Sequence, residues 1–166
     1  MSQIREARPQ DVPAVLAMVR ELAEYEREPD AVRMSEEQLA EALFGAHPAV
    51  FAHVVDDGER LLGFALWFRT FSTWEGVHGI HLEDLYVRPE ARGAGHGKEL
   101  LRTLARHAVD RGWARVEWSV LNWNEPSIGF YRSLGALPQD EWSVFRLTGD
   151  ALREAGAARE HEPGRA

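Results

Sequence analysis

The segment from Gly79 to Gly112 constrains the fold more than any other. Gly79 to Val87 reads as a strand, which Arg88-Pro89 ends because proline cannot donate to a ladder. Gly93, Gly95 and Gly97 follow, and from His96 to Arg111 the apolar stripe Leu100, Leu101, Leu104, Ala105, Ala108 and Val109 has helical spacing up to a stop at Gly112. A strand that feeds a glycine-rich turn and then a helix is an anion site in outline. Glycines let successive N–H groups converge, and the helix N-terminus adds a positive end of roughly half a charge, so a pyrophosphate can be held by backbone alone. Arg92 and Lys98 add cationic side chains beside it.

Two common phosphate-binding patterns do not fit. A dinucleotide fingerprint needs Gly-x-Gly-x-x-Gly in a parallel βαβ unit near the start of a domain, whereas these glycines alternate at 93, 95 and 97 deep in the chain. A Walker loop needs Ser or Thr after Gly-Lys, and here Glu99 follows Lys98.

The flanking segments supply the rest of the architecture. Gln3–Arg8 reads as a short strand, and Val12–Arg27 as a helix with Asp11 as its N-cap. A second helix from Ser35 to about Gly45 opens with the capping box Ser35-Glu36-Glu37-Gln38. Val50–Val55 and Leu61–Phe71 form a hairpin about Asp56-Asp57-Gly58-Glu59. Ala114–Leu121 is a strand, Pro126–Leu134 a short helix ended by Gly135, and Trp142–Leu147 a last strand. The order predicts one α+β domain over residues 1–155 around a mostly antiparallel sheet, with 156–166 as a flexible tail.

Composition narrows the chemistry. Asp and Glu outnumber Lys and Arg by 27 to 19 in 166 residues, giving a net charge of −8, so no basic field exists for a nucleic acid and cationic ligands suit the balance better. Eight acidic residues against two basic ones lie between 21 and 41. The absence of cysteine removes thiolate nucleophiles, disulfides and Cys-metal sites. Seven histidines do not make a metal site, since His78 and His81 alternate across a strand and no His pair has helical i,i+4 spacing. No apolar run approaches the roughly 20 residues of a membrane span, and the N-terminus lacks a signal-peptide pattern, so a cytoplasmic protein is expected.

Arg92-Gly93-Ala94-Gly95-His96-Gly97 resembles the Arg-x-x-Gly-x-Gly/Ala motif of the GNAT superfamily of acyl-CoA-dependent N-acyltransferases. The resemblance is closest to the diamine, or spermidine/spermine, acetyltransferase group. It is carried by His81-Leu82-Glu83-Asp84-Leu85-Tyr86-Val87, by Asn122-Trp123-Asn124-Glu125-Pro126-Ser127-Ile128-Gly129-Phe130-Tyr131, by Leu22-Ala23-Glu24-Tyr25-Glu26 and by Phe44-Gly45-Ala46-His47-Pro48. It spans about Ile4 to Leu152 and implies a GNAT fold, a mixed sheet flanked by helices whose central fourth and fifth strands splay apart. Acetyl-CoA is the implied co-substrate. Its pantetheine arm would lie along Leu85, Tyr86 and Val87, and its pyrophosphate on the amides of Gly93, Ala94, Gly95, His96, Gly97 and Lys98 beside Arg92. Asn124, Ser127 and Tyr131 match coenzyme contacts of the family.

An alkylammonium has a pKa of about 10.4 and must lose a proton before it can attack a thioester. Glu83 matches the family's acidic position on the fourth strand and is the expected cation binder and proton acceptor, directly or through water. Tyr131 matches the tyrosine beside the sulfur and is the expected proton donor to the leaving thiolate. Tyr25, Glu26, Asp84, Glu117, Trp118 and Ser119 are expected around the amine. Strand alternation sets Glu83 and Asp84 on opposite faces, so both can meet one substrate only at a bulge. Leu134 stands where the family has a basic residue, and the hairpin loop at 56–60 is shorter than in the animal enzymes. Relatives in the group acetylate polyamines, thialysine-like amino acids or other small primary amines, and a homodimer is expected. Aminoglycoside or protein amines and a non-catalytic acyl-CoA sensor are the alternatives.

Overall fold

The computed structural model describes residues 1–157, which divide into two compact units, Met1–Trp123 and Asn124 onward. The first unit is built on a five-stranded sheet in the order β1 (Gln3–Glu6), β2 (Phe51–Asp56), β3 (Leu61–Ser72), β4 (Val77–Val87), β5 (Val116–Glu117). β1 to β4 pair antiparallel and β5 runs parallel to β4. Hairpin loops join β2 to β3 and β3 to β4, while the parallel step needs the crossover helix α3 (His96–Asp110).

Strand alternation sorts the core into two layers. Ala52, Val54, Phe64, Leu66 and Tyr86 pack on one face against α1 (Val12–Tyr25) and α2 (Glu36–Phe44), whose inward residues are Val15, Leu16, Met18, Leu39 and Leu43. The opposite face carries Ala65 and Trp67, with Leu100, Leu104 and Ala108 of α3 buried on that side. Phe64, fully buried, contributes roughly 1.5–3 kcal/mol by leaving water.

The helix termini are set by local chemistry. Ser35 Oγ accepts from Gln38 N at 3.2 Å while Gln38 Oε1 accepts from Ser35 N at 2.9 Å, which is the reciprocal cap read from the sequence. Asp11 corrects the expectation at α1, because it makes no side-chain cap bond to that helix. Its carboxylate accepts from Arg5 at 2.7 and 3.0 Å and from Arg8 N at 2.7 Å, so a nearby guanidinium outcompetes the helix N-terminus for a buried charge. Arg5 also donates to Asp56 at 2.8 Å, tying β1 to the end of β2.

In the second unit, α4 (Glu125–Ser133) begins at Asn124, whose Oδ1 accepts from Ser127 N at 3.4 Å. The strand expected at 142–147 is not formed; that stretch is irregular, and no other strand stands among the unit's described residues to supply a ladder. A helix the sequence reading did not anticipate, α5 (Gly149–Gly156), follows it. Likewise the strand expected over 114–121 shrinks to the two residues of β5. The tail expected at 156–166 lies, from residue 158 onward, outside the described residues.

Candidate active site

The register of β3 against β4 slips once, between Leu66 and Trp67: Leu66 faces Asp84, while Trp67 faces Leu82. Glu83 is the extra residue. A bulge sets two residues against one, so Glu83 and Asp84 together oppose Leu66 instead of alternating across the sheet. The arrangement that strict alternation forbids is therefore present. Glu83 is exposed and Asp84 partly buried.

The bulge also reverses which backbone groups face β5. Ile80 N donates to Arg115 O at 2.9 Å, so before the bulge the even-numbered residues turn toward β5. After it, Arg88 N donates to Leu62 O of β3 at 2.8 Å, which places Tyr86 toward β3 and turns the backbone groups of Leu85 and Val87 outward. Pairing with β5 ends at His81–Glu117, so this part of β4 has no ladder on that side and the strands have parted. Val87 O is occupied by Arg92 Nε at 2.8 Å.

Beyond β4, one 3-10 turn (Pro89–Ala91) leads into the glycine loop. Gly93 and Gly95 adopt φ of 88° and 84°, conformations that side-chain-bearing residues rarely take, and a Cβ on either would meet no protein atom within 4 Å. The loop is open above its backbone, and α3 starts immediately after Gly95 with His96, Gly97 and Lys98 in its first turn. That is the geometry of a backbone anion cradle.

The acidic groups perturb one another. Burial lifts Asp84 from an ordinary aspartate value to about 6, helped by the negative charges of Glu83 and Glu26. Burial also raises Glu26, the residue that closes α1. Glu26, Glu83 and Asp84 thus form one electrostatic cluster, and an ammonium ion entering it would relieve the repulsion. His81 Nε2 lies 3.7 Å from Glu83 Oε2. Arg92 links the end of α1 to β4, with its guanidinium 5.6 Å from the ring centres of both Tyr25 and Tyr86.

Two neighbours of this cluster, Arg27 and Trp123, carry no signal in the sequence pattern. Arg27 has φ of 65°, the one positive value outside glycine among the described residues, and its guanidinium lies 4.1 Å from the ring centre of Trp123. Trp123 in turn approaches Tyr25 at 6.1 Å. No periodicity marks either residue, since one sits after a helix end and the other after an irregular strand; only the left-handed turn at Arg27 brings them together. Of the remaining expected residues, Glu117 pairs in register with His81 and lies 3.7 Å from Arg115. Trp118 and Ser119 follow in the stretch where β5 no longer pairs. Asn124, Ser127 and Tyr131 belong to the second unit, the first capping α4 and the other two lying on it. Among the described residues no three His, Cys, Asp or Glu side chains come close enough together to hold a metal ion.

This parted sheet with its bulge and glycine cradle is an acyltransferase scaffold, and the chain belongs to the acetyltransferase (GNAT) family, whose model matches residues 15–136. It is an N-acetyltransferase. The thialysine N-epsilon-acetyltransferase of Sus scrofa is 39% identical over 162 residues, covering 91% of this chain and 95% of the relative. The L-ornithine N5-acetyltransferase of Arabidopsis thaliana is 32% identical, covering 92% and 86%. Among solved structures, an integron cassette protein from the mobile metagenome of V. cholerae superposes with a TM-score of 0.80 at 26% identity, covering 95% of this chain and 98% of that one.

Proposed function

We propose that this enzyme transfers the acetyl group of acetyl-CoA to the primary amine of a small cationic acceptor, a lysine-like amino acid or diamine. The observation that carries the reading is the bulge at Glu83, which gathers Glu83 and Asp84 beside Glu26 at the end of β4 where the backbone is unpaired. The names of the relatives, which act on thialysine and ornithine, support the acceptor class.

The residues present fit the co-substrate. The outward backbone groups of Leu85 and the N–H of Val87 suit an amide-bearing pantetheine arm, as an added strand would use them. The amides from Gly93 to Lys98 suit a pyrophosphate, with Lys98 supplying charge and Arg92 braced against Val87 O. When bound, acetyl-CoA supplies an activated thioester acyl group.

The chain's own residues manage the protons. The amine arrives as a cation and is held by Glu26, Glu83 and Asp84, with Tyr25 offering an aromatic face to its methylene stem. Glu83 accepts the ammonium proton, directly or through a water, beside Asp84, whose carboxyl near 6 is ionised and still basic at neutral pH. Tyr131 donates its phenolic proton to the departing thiolate, and Asn124 and Ser127 serve the coenzyme. Glu117, Trp118 and Ser119 border the acceptor. This reading treats residues 1–155 as one catalytic domain working as a cytoplasmic homodimer, and no helix among the described residues is long and apolar enough to cross a membrane.

The test is release of free CoA from acetyl-CoA against thialysine, lysine, ornithine, putrescine, spermidine, an aminoglycoside and a histone-tail peptide. The protein contributes no thiol to a thiol readout. Turnover with the small diamines or amino acids and little with the last two is the expected result. Turnover restricted to the peptide, or none with any amine while acetyl-CoA binds, overturns it.

A further inference from the structure

At the start of β2, at the other end of α3 from the glycine loop, the first unit holds a second concavity. It is a half-open groove of about 410 Å³ between the end of α2, strands β1 to β3 and the last turns of α3. His107 on its wall is eleven residues along α3 from His96, roughly 16 Å at 1.5 Å per residue. The acetyl-transfer reading uses none of the groove's lining residues.

The groove's floor is a buried polar group set to donate. His53 is 6% exposed, and its Nδ1 lies 3.3 Å from Trp67 Nε1. An indole nitrogen can only donate, so Nδ1 must be the acceptor and the imidazole proton must sit on Nε2. Burial keeps the ring neutral by lowering its pKa, with the positive influence of His107 adding to this and Glu6 opposing it. Nε2–H has no hydrogen-bond partner among the described residues. It is not sealed away either, since the one fully enclosed side-chain nitrogen or oxygen without a partner there is Arg88 Nε. His53 lines the groove, and its nine-tenths burial strips the ring of most of its water, so the donor there lacks an acceptor.

The walls add two further requirements. Trp67, His107 and Trp113 form an edge-to-face cluster, with ring centres 4.9 Å apart for Trp67–His107 and 5.4 Å for His107–Trp113, and Phe51 lies 4.7 Å from Trp67. Such a lining suits a flat ring. Arg69 and Arg111 also line the groove against the single carboxylate of Glu6, a local cationic excess on a protein whose net charge is −8. The carbonyl end of α3 opposes anions weakly, but Arg111 caps it by donating to His107 O at 3.4 Å.

We propose that this groove is a binding site for a small aromatic carboxylate, its ring among Trp67, Trp113 and Phe51 and its carboxylate accepting from His53 Nε2–H and an arginine. The carboxylate supplies the missing acceptor, and the ring fills the aromatic wall. No covalent step is involved, and the site is separate from acetyl transfer.

The test is titration of the full chain with benzoate, benzylamine and cyclohexanecarboxylate, followed by calorimetry and by the His53 and Trp67 side-chain nitrogen resonances at pH 7.5. Benzoate should saturate while shifting His53 Nε2, and should bind at least about tenfold tighter than benzylamine, with cyclohexanecarboxylate between them. Arg69→Gln/Arg111→Gln, both surface changes, should weaken benzoate by about tenfold or more while acetyl transfer stays unchanged. His53→Gln should weaken it with circular dichroism retained. Failure of benzoate to bind by 20 mM, equal affinity for benzylamine, saturation without a shift at His53, or an unaltered affinity in the double arginine variant would each overturn the proposal.

Discussion

Replacing Asp84 with asparagine should make the protein more stable and a poorer catalyst, by amounts that depend on pH in a defined way. The carboxyl is lifted from 3.8 to about 6 in the folded state, chiefly by burial and then by Glu83 and Glu26. A raised folded pKa means that the native state binds more protons than the unfolded state between those values, so stability falls as pH rises through that window. At about 1.36 kcal/mol per pKa unit, the charged aspartate costs the fold about 3 kcal/mol at pH 8 and roughly half of that at pH 5. Asparagine removes the charge with little change of volume. Urea denaturation should therefore show Asp84→Asn about 1–3 kcal/mol more stable than the parent at pH 8, with the gain shrinking toward zero near pH 4. A thermal midpoint several degrees higher should accompany it. Acetyl transfer should fall about 10²-fold or more at the same pH, and in the parent kcat/KM for the amine should decline as pH drops through about 6. A variant no more stable than the parent at pH 8, or one whose gain is the same at pH 4, would refute the reasoning, because the strain would then not be that of a buried charge.

Tyr131→Phe should lower kcat by ~10²-fold or more while leaving acetyl-CoA affinity nearly unchanged, as calorimetry and steady-state kinetics would show; unchanged turnover removes the acid assignment. Gly95→Ala meets no steric neighbour but forces a left-handed alanine at φ of 84°, costing about 1–2 kcal/mol. Its CoA affinity should drop by about tenfold, measured by calorimetry. Arg5→Met leaves the buried Asp11 carboxylate without its guanidinium and should cost about 3 kcal/mol in urea unfolding at pH 7, much of it recovered in Arg5→Met/Asp11→Asn. Although burial pushes the Asp11 carboxyl up, the Arg5 and Arg8 hydrogen bonds hold it below its ordinary value. The parent's advantage over Arg5→Met should therefore be lost as falling pH protonates Asp11, first in the variant, where burial acts without the guanidinium.

Local chemistry made much of the fold readable. The Ser35 cap, the stripe of α3 and the Asp56–Arg60 hairpin depend on neighbours within a few residues, and the structure keeps each within one or two positions of its expected bounds. Elements that depend on a distant partner depart from their local pattern. Residues 114–121 and 142–147 both have strand-like composition, but a strand exists only where a neighbour supplies its ladder, so the first retains two paired residues and the second none. Asp11 failed as a cap for the same reason, its competitor being an arginine on β1 whose approach no helix-capping pattern records.

The site divides along the same line. The glycine loop and its helix, the carboxylates at 83 and 84, and the family to which their order belongs are legible in the amino-acid order, because these are contiguous and their chemistry follows from residue type and spacing. The tertiary structure alone decided that Glu83 and Asp84 share one side of β4, that Leu85 and Val87 turn their backbone outward, and that Glu26 raises the charge density beside them. All three depend on a one-residue slip between β3 and β4, and register is a property of two strands that neither strand's sequence states alone.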